Sequence, residues 1–356
     1  SAIAAITKGA TTAANTAGIA NRWIRRSVVP LGGSTIAEVD STTGMRAYGD
    51  PAGRGSRIEY QPALDGLRAV AVALVVVFHL DLAIGDTTVA RAGYLGVSVF
   101  FTLSGFLITR LLLAEHDETG SISLRDFYRR RLRRLMPASW ITIAGVAIAT
   151  ALGVFAASER LRGDLVAAAL QVLNLREMVS DESYAELFAD PSPVIHFWSL
   201  GVEEQFYWLW PPVLAFALTR RLARRTIVVS FAVAAASTPI TVAVWSADAA
   251  YYAPWTRIAE ILAGAVVAVL VARRGVPSWA PRVAAPAVTA IVVISLVAPT
   301  GVDPAVVSAL PLFAAVSALA VLGLQAPGRV SGALSARPLV ALGRISYGVY
   351  LVHWPV

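Results

Sequence analysis

The stretch LRAVAVALVVVFHLDLAIG, residues 67–85, carries three ionisable side chains, Arg68, His79 and Asp81, in an otherwise apolar run. A bilayer core takes about 20 helical residues to cross, so the run reads as a membrane-spanning helix. His79 follows Arg68 by eleven positions. Eleven steps of 100° return to within about 20° of the starting direction, which puts both side chains on one face. At 1.5 Å per residue they stand roughly 16 Å apart, one near a membrane surface and the other near mid-bilayer. Ionisable groups inside hydrocarbon are costly and usually mark a site.

The rest of the chain has the same character. Of 356 residues, 56% are hydrophobic and 15% charged, and the mean hydropathy is +0.64. Those values lie outside the range of ordinary soluble domains. Further apolar runs recur at about 92–114, 136–157, 195–218, 226–245, 251–272, 283–299 and 304–324, with a last one from Ile345. Continuous runs of this length mean helices rather than a barrel. The segment LVAAALQVLNL (165–175) is too short to cross and suits a re-entrant or interfacial piece. The expected fold is an all-α integral membrane bundle of about nine to ten transmembrane helices. The last run is about a dozen residues long at Val356, so the final helix is expected to be cut off and the chain to be a fragment. Neither an initiator Met nor a signal peptide is visible. There is no cysteine, which excludes thiol nucleophiles, thiolate metal sites and disulfides. No metal site is expected.

Loop charge orients the bundle. Six arginines lie between Arg125 and Arg134, and RRLARR (220–225), Arg273, Arg274, Arg282, Arg329 and Arg337 occupy alternate loops. The loop at 177–195 instead carries Glu177, Asp181, Glu182, Glu186 and Asp190 and no Lys or Arg. The positive-inside rule makes the arginine loops and the N-terminus cytoplasmic. The net charge of +7 thereby belongs to topology, and nucleic acid drops out as a partner; membrane lipids remain. Residues 1–60 are small and polar and read as a cytoplasmic tail. Within it, 19–31 forms either a basic amphipathic helix on the inner leaflet or part of a disordered segment.

Six clusters hold polar groups that a simple membrane anchor would not need. Arg68, in LDGLRA, is either a snorkelling interfacial arginine or a site residue; His79 is either a packing hydrogen bond between helices or a functional imidazole. In GVSVFFTLSGFLITR (96–110) small residues let helices approach closely, while Ser104 and the backbone at Gly105 also suit a narrow channel lining. Arg131 and Arg134 share one side of a helical turn, fit for phosphate oxygens or for lipid headgroups. In HFWSLGVEEQFYWLWPP (196–212), His196, Ser199 and Glu203 form one helical stripe, and Glu203 and Glu204 are adjacent carboxylates at the start of a span. Arg257 and Glu260 are spaced to pair within the membrane; SYGVYLVHWP adds Ser346, Tyr347 and His353.

Taken in order, LDGLRA with its Arg68-to-His79 spacing, GVSVFFTLSGFLIT, FYRRRLRRLMP, HFWSLGVEEQFY and SYGVYLVH resemble the motifs of the membrane acyltransferase-3 family. These are bacterial integral-membrane enzymes that place small acyl groups on extracytoplasmic glycans and lipids. The resemblance runs from about Gln61 to Val356 and marks 61–356 as the acyltransferase domain. It implies a cytoplasmic acyl-CoA donor, often acetyl-CoA, a glycan or glycolipid hydroxyl as acceptor, and a place in the bacterial inner membrane. By motif, His79 matches the family's essential histidine and Arg68 its partner. Arg131 and Arg134 match the loop arginines implicated with the coenzyme, and Glu203 matches the acid of WSLxxE. Under that reading His79 and Glu203 are catalytic, with Glu203 orienting the imidazole and His79 acting as general base or as acyl carrier. Ser104, His196, Ser199, Glu204, Arg257, Tyr347 and His353 would line the acceptor path or channel. Many relatives carry an SGNH hydrolase-like domain after the last helices, so that domain or a further helix is expected beyond Val356. Two rivals explain the same residues: a proton-coupled transporter using buried His, Glu and Arg, and a non-catalytic membrane scaffold.

Overall fold

The computed structural model describes residues 59–84, 87–179, 192–299 and 301–355. The chain divides into two units, Ser1–Tyr48 and Gly49–Val356, and all described residues belong to the second. The expectations for the tail at 1–58 and for the acidic positions 181–190 lie outside the described residues. The described part is helical save for a two-residue antiparallel hairpin, β1 (Ala83–Ile84) and β2 (Thr87–Thr88).

In chain order the helices are α1 (Pro62–His79), α2 (Gly96–Thr119), α3 (Leu124–Ala151), α4 (Glu159–Ala169), α5 (Leu173–Met178), α6 (Phe197–Thr219), α7 (Ala223–Val244) and α8 (Ala247–Tyr252). They continue with α9 (Pro254–Arg274), α10 (Ala280–Val297), α11 (Pro304–Gly323), α12 (Arg329–Leu334) and α13 (Arg337–Val352). Among the described residues seven are long and apolar enough to cross a membrane: α1, α2 (extended from Gly93), α3, α7, α9, α10 and α11. The runs at 195–218 and from Ile345 do form helices, α6 and α13, yet neither is among the seven. Two glutamates, a glutamine and two prolines dilute the apolar character of α6, and α13 has 16 residues starting at an arginine. The segment 165–175 is split between α4 and α5, of 11 and 6 residues, both too short to cross.

The opening stretch is also shifted. Its helix starts at Pro62, where proline suits the first turn, and ends at His79 rather than at residue 85. His79 is therefore the last residue of α1 and sits at the mouth of a turn, not half-way along a span.

Glycines set how closely the helices approach. A side chain at Gly105 or Gly264 would collide with the Ile261 and Thr102 carbonyls, so α2 and α9 cross backbone to backbone. Gly343 of α13 meets the Asp65 carbonyl of α1 in the same way. Small residues serve this purpose where lipid supplies no hydrophobic drive to association. The second contact matters most for the site. It clamps α13 against α1 with both chains running the same way, and so brings two helix C-termini together.

Candidate active site

At the arginine end of the bundle a cavity of about 450 Å³ opens among α1, α2, α3 and α13. Arg68, Arg110, Arg131, Arg134 and Arg344 line it against two carboxylates, Glu59 and Asp65. Asp65 already faces Arg68 at 3.6 Å and Arg344 at 3.9 Å and accepts from the Tyr60 hydroxyl at 2.6 Å. Arg110 and Arg134 form no ion pair among the described residues. The predicted one-sided spacing of Arg131 and Arg134 appears as their shared lining of this cavity. Arg344 and Arg110 line this cavity without standing out in the sequence. Arg344 lies one helical turn before Tyr347, and that register was the available signal.

Arg68, Ser104, Arg131, Arg134 and Arg344 also line a narrower inner compartment of about 80 Å³, so the two cavities adjoin across these side chains. Glu203, Tyr207, Ser199, Tyr347 and Tyr350 complete much of the inner wall. One carboxylate oxygen of Glu203 accepts from both the Ser104 and the Tyr207 hydroxyls, while the Arg131 guanidinium lies 3.9 Å above the Tyr207 ring. This chain of contacts corrects one expectation. Glu203 does not hydrogen-bond His79, because its carboxylate is engaged by two hydroxyls inside the passage.

His79 meets a different partner. Its Nδ1 lies 3.1 Å from Nε2 of His353, whose own Nδ1 lies 2.6 Å from the Tyr350 carbonyl. A carbonyl only accepts, so His353 carries its hydrogen on Nδ1 and, with both rings neutral, accepts at Nε2 from His79 Nδ1–H; the His79 ring is also hydrogen-bonded to the Val75 carbonyl one turn back on α1. The lone pair of His79 then falls on Nε2. The half-buried His79 ring also packs against Trp354 at 4.7 Å. His196 joins this end of the bundle, its ring 5.4 Å from that of His353 and its Nε2 3.1 Å from the Leu351 carbonyl. It is buried and lines neither cavity.

The remaining candidates divide. Ser104, Ser199 and Tyr347 line the inner compartment; Tyr347 is fixed by Ser139 at 2.7 Å and the Leu135 carbonyl at 3.0 Å. Glu204 is buried outside both cavities. Arg257 corrects its channel assignment. It is 1% exposed, pairs with Glu260 at 3.3 Å, and is enclosed by Phe101, Trp198 and Tyr251. Such an aromatic box stabilises a desolvated guanidinium by cation–π attraction and leaves it no path to a substrate.

A second charged cluster lies on α4 and α5. Buried Asp164 accepts from Arg176 at 2.8 Å, and buried Glu177 faces Arg160 at 3.4 Å. Burial first, and then the neighbouring Asp164 charge, raise Glu177 to about 7 against the pull of Arg160 and Arg176. The folded protein thus holds a proton there that the unfolded chain releases near 4.5. That stabilisation is complete below about pH 4.5 and is lost as pH rises through about 7. Glu177→Gln is expected to flatten this dependence, read as thermal midpoints in detergent at pH 5 and pH 8. Parallel pH profiles for the two proteins would contradict the assignment.

A family model described as an acyltransferase domain matches residues 61–356. The chain belongs to the acyltransferase-3 family. It is 31% identical over 312 residues to the peptidoglycan O-acetyltransferase OatA of Listeria monocytogenes, covering 84% of this chain and 49% of that one. It is 32% identical over 312 residues to the putative peptidoglycan O-acetyltransferase YrhL of Bacillus subtilis, covering 83% and 48%. Putative O-acetyltransferases of Staphylococcus aureus are 36% identical over 219 residues, 60% of this chain and 35% of theirs. The chain thus spans about half the length of the first two. No solved structure matches it significantly.

Proposed function

We propose that this chain is a membrane O-acetyltransferase that moves a small acyl group from cytoplasmic acyl-CoA, acetyl-CoA foremost, to a hydroxyl of an extracytoplasmic glycan or glycolipid. The observation that carries the reading is the adjoining pair of cavities. An arginine-lined mouth at one end of the bundle leads to an inner compartment whose lining Tyr350 ring lies 5.2 Å from that of His353, although neither His79 nor His353 lines it. The two named peptidoglycan enzymes among the relatives favour a glycan acceptor. In this reading the arginine end is cytoplasmic, as the positive-inside rule demands. Nine helices cross the bacterial inner membrane, α6 and α13 included, while α4 and α5 do not.

The donor's phosphates sit on Arg131, Arg134 and the neighbouring arginines, where five guanidiniums face two carboxylates. Paired N–H donors suit phosphate oxygens, and a phosphate competes with Asp65 for Arg68 and Arg344. The pantetheine arm then follows the inner compartment past the Ser104, Tyr207 and Glu203 hydrogen bonds, over a length of the order of the roughly 16 Å between Arg68 and His79. Glu203 keeps those hydroxyls in place and so shapes the passage.

The acceptor hydroxyl approaches from the histidine end. His79 Nε2 takes its proton as the oxygen attacks the thioester carbonyl carbon. The C–S bond breaks, and the leaving thiolate recovers the proton from the imidazolium. His353 Nε2, accepting from His79 Nδ1–H, orients the ring and stabilises its cation, the task of the acidic member in a hydrolase triad. The test is CoA release by the purified protein in detergent with acetyl-CoA and envelope glycans. Release that requires both donor and glycan is expected; none with any thioester donor would overturn the reading.

A further inference from the structure

The inner compartment ends on a side chain that the mechanism above does not use. Tyr350, on α13, forms its far wall and is 7% exposed. Its hydroxyl lies 2.7 Å from the Ser199 hydroxyl and donates to the His196 carbonyl at 3.2 Å. These two bonds pin the phenol from α6, so the ring does not swing at random. On one side the ring meets Phe100 of α2 at 6.3 Å, and on the other it meets His353 at 5.2 Å. The ring therefore borders both the inner compartment and the imidazole of His353. Its backbone carbonyl holds the His353 hydrogen, so one residue both lines the compartment and sets the histidine tautomer.

We propose that Tyr350, braced by Ser199 and Phe100, is the wall that sets how large an acyl group the enzyme accepts. The proposal rests on the acyl-CoA reading above. The phosphates are anchored at the arginine mouth and the pantetheine arm has a fixed length, so the thioester carbonyl arrives at a fixed depth. Carbon atoms beyond it press against the Tyr350 ring. An acetyl group adds a single methyl there, whereas each further methylene must displace a ring held by two hydrogen bonds. A pocket of fixed depth discriminates by about 10-fold or more per excess methylene.

The test needs no acceptor. Dissociation constants of CoA, acetyl-CoA, butyryl-CoA and hexanoyl-CoA are measured by calorimetry on the purified protein in detergent. The wild-type protein should bind CoA and acetyl-CoA with similar affinity, butyryl-CoA, two methylenes longer, about 100-fold more weakly, and hexanoyl-CoA more weakly still. In Tyr350→Ala that gap should shrink by about 10-fold or more, the worth of at least one methylene. Should Tyr350→Ala fail to fold, Phe100→Ala opens the opposing wall and should narrow the same gap. Equal binding of all chain lengths by the wild-type protein, or an unchanged gap in folded variants, would overturn the wall. Failure to bind CoA in any form would instead overturn the acyl-CoA reading itself.

Discussion

His79→Ala is expected to abolish acyl transfer while leaving the affinity for CoA within a few-fold of the wild-type value. General-base catalysis typically contributes 10²–10⁴-fold, and in the proposed mechanism the imidazole both takes the acceptor proton and returns it to the thiolate. Donor affinity should persist because the arginine mouth lies about eleven residues of helix away on α1, roughly 16 Å. Removing the ring also leaves His353 Nε2 without the donor now 3.1 Å from it, a loss confined to the histidine end. Single-turnover CoA release beside equilibrium CoA binding separates the two effects. A fully active variant would remove His79 from the chemistry. A variant that loses binding and transfer together would give the histidine a structural role.

Arg131→Ala combined with Arg134→Ala is expected to act at the other end. Hydrogen bonds to charged groups are worth about 1.5–3 kcal/mol each, so losing two guanidiniums from the phosphate site should raise the donor KM at least 10-fold. The turnover number at saturating donor should change much less, because neither residue approaches the histidine pair. Arg131 also stacks on Tyr207, whose hydroxyl bonds Glu203. Arg131→Lys therefore separates the effects: it keeps the charge and loses the planar stack and the paired donors. An unchanged KM in the double variant would return both arginines to a purely topological role.

These two experiments fall on residues that the sequence already marked, and the reason is periodicity. A run such as 67–85 announces a helix through length and composition alone, and helical geometry fixes that Arg131 and Arg134 share a side. The helix ends were less legible. Polar residues in α6 and the arginine at the head of α13 lower their apolar character. The turn after His79 depends on packing against the neighbouring elements rather than on the run itself. What could not be read were the contacts between distant segments. His79 and His353 are separated by 274 positions, and they meet because Gly343 lets α13 lie against the Asp65 backbone of α1. The expected partner, Glu203, had the right chemistry and the wrong neighbours: Ser104 and Tyr207 reach its carboxylate first. Arg257 looked like a channel residue from its rarity in a span. Three aromatic rings give it a packing role that no local pattern discloses.

The proposed function requires a two-sided reaction, with donor and acceptor reaching one site from opposite faces of the membrane. The measurement that tests this most directly uses the protein in sealed vesicles, with radiolabelled acetyl-CoA outside those of inverted orientation and envelope glycan inside. CoA is expected to appear outside and labelled acetyl ester inside, and both are expected to vanish with His79→Ala. No thioester cleavage with any donor, beside solute flux across the same vesicles, would contradict the two-sided reaction and favour a transporter.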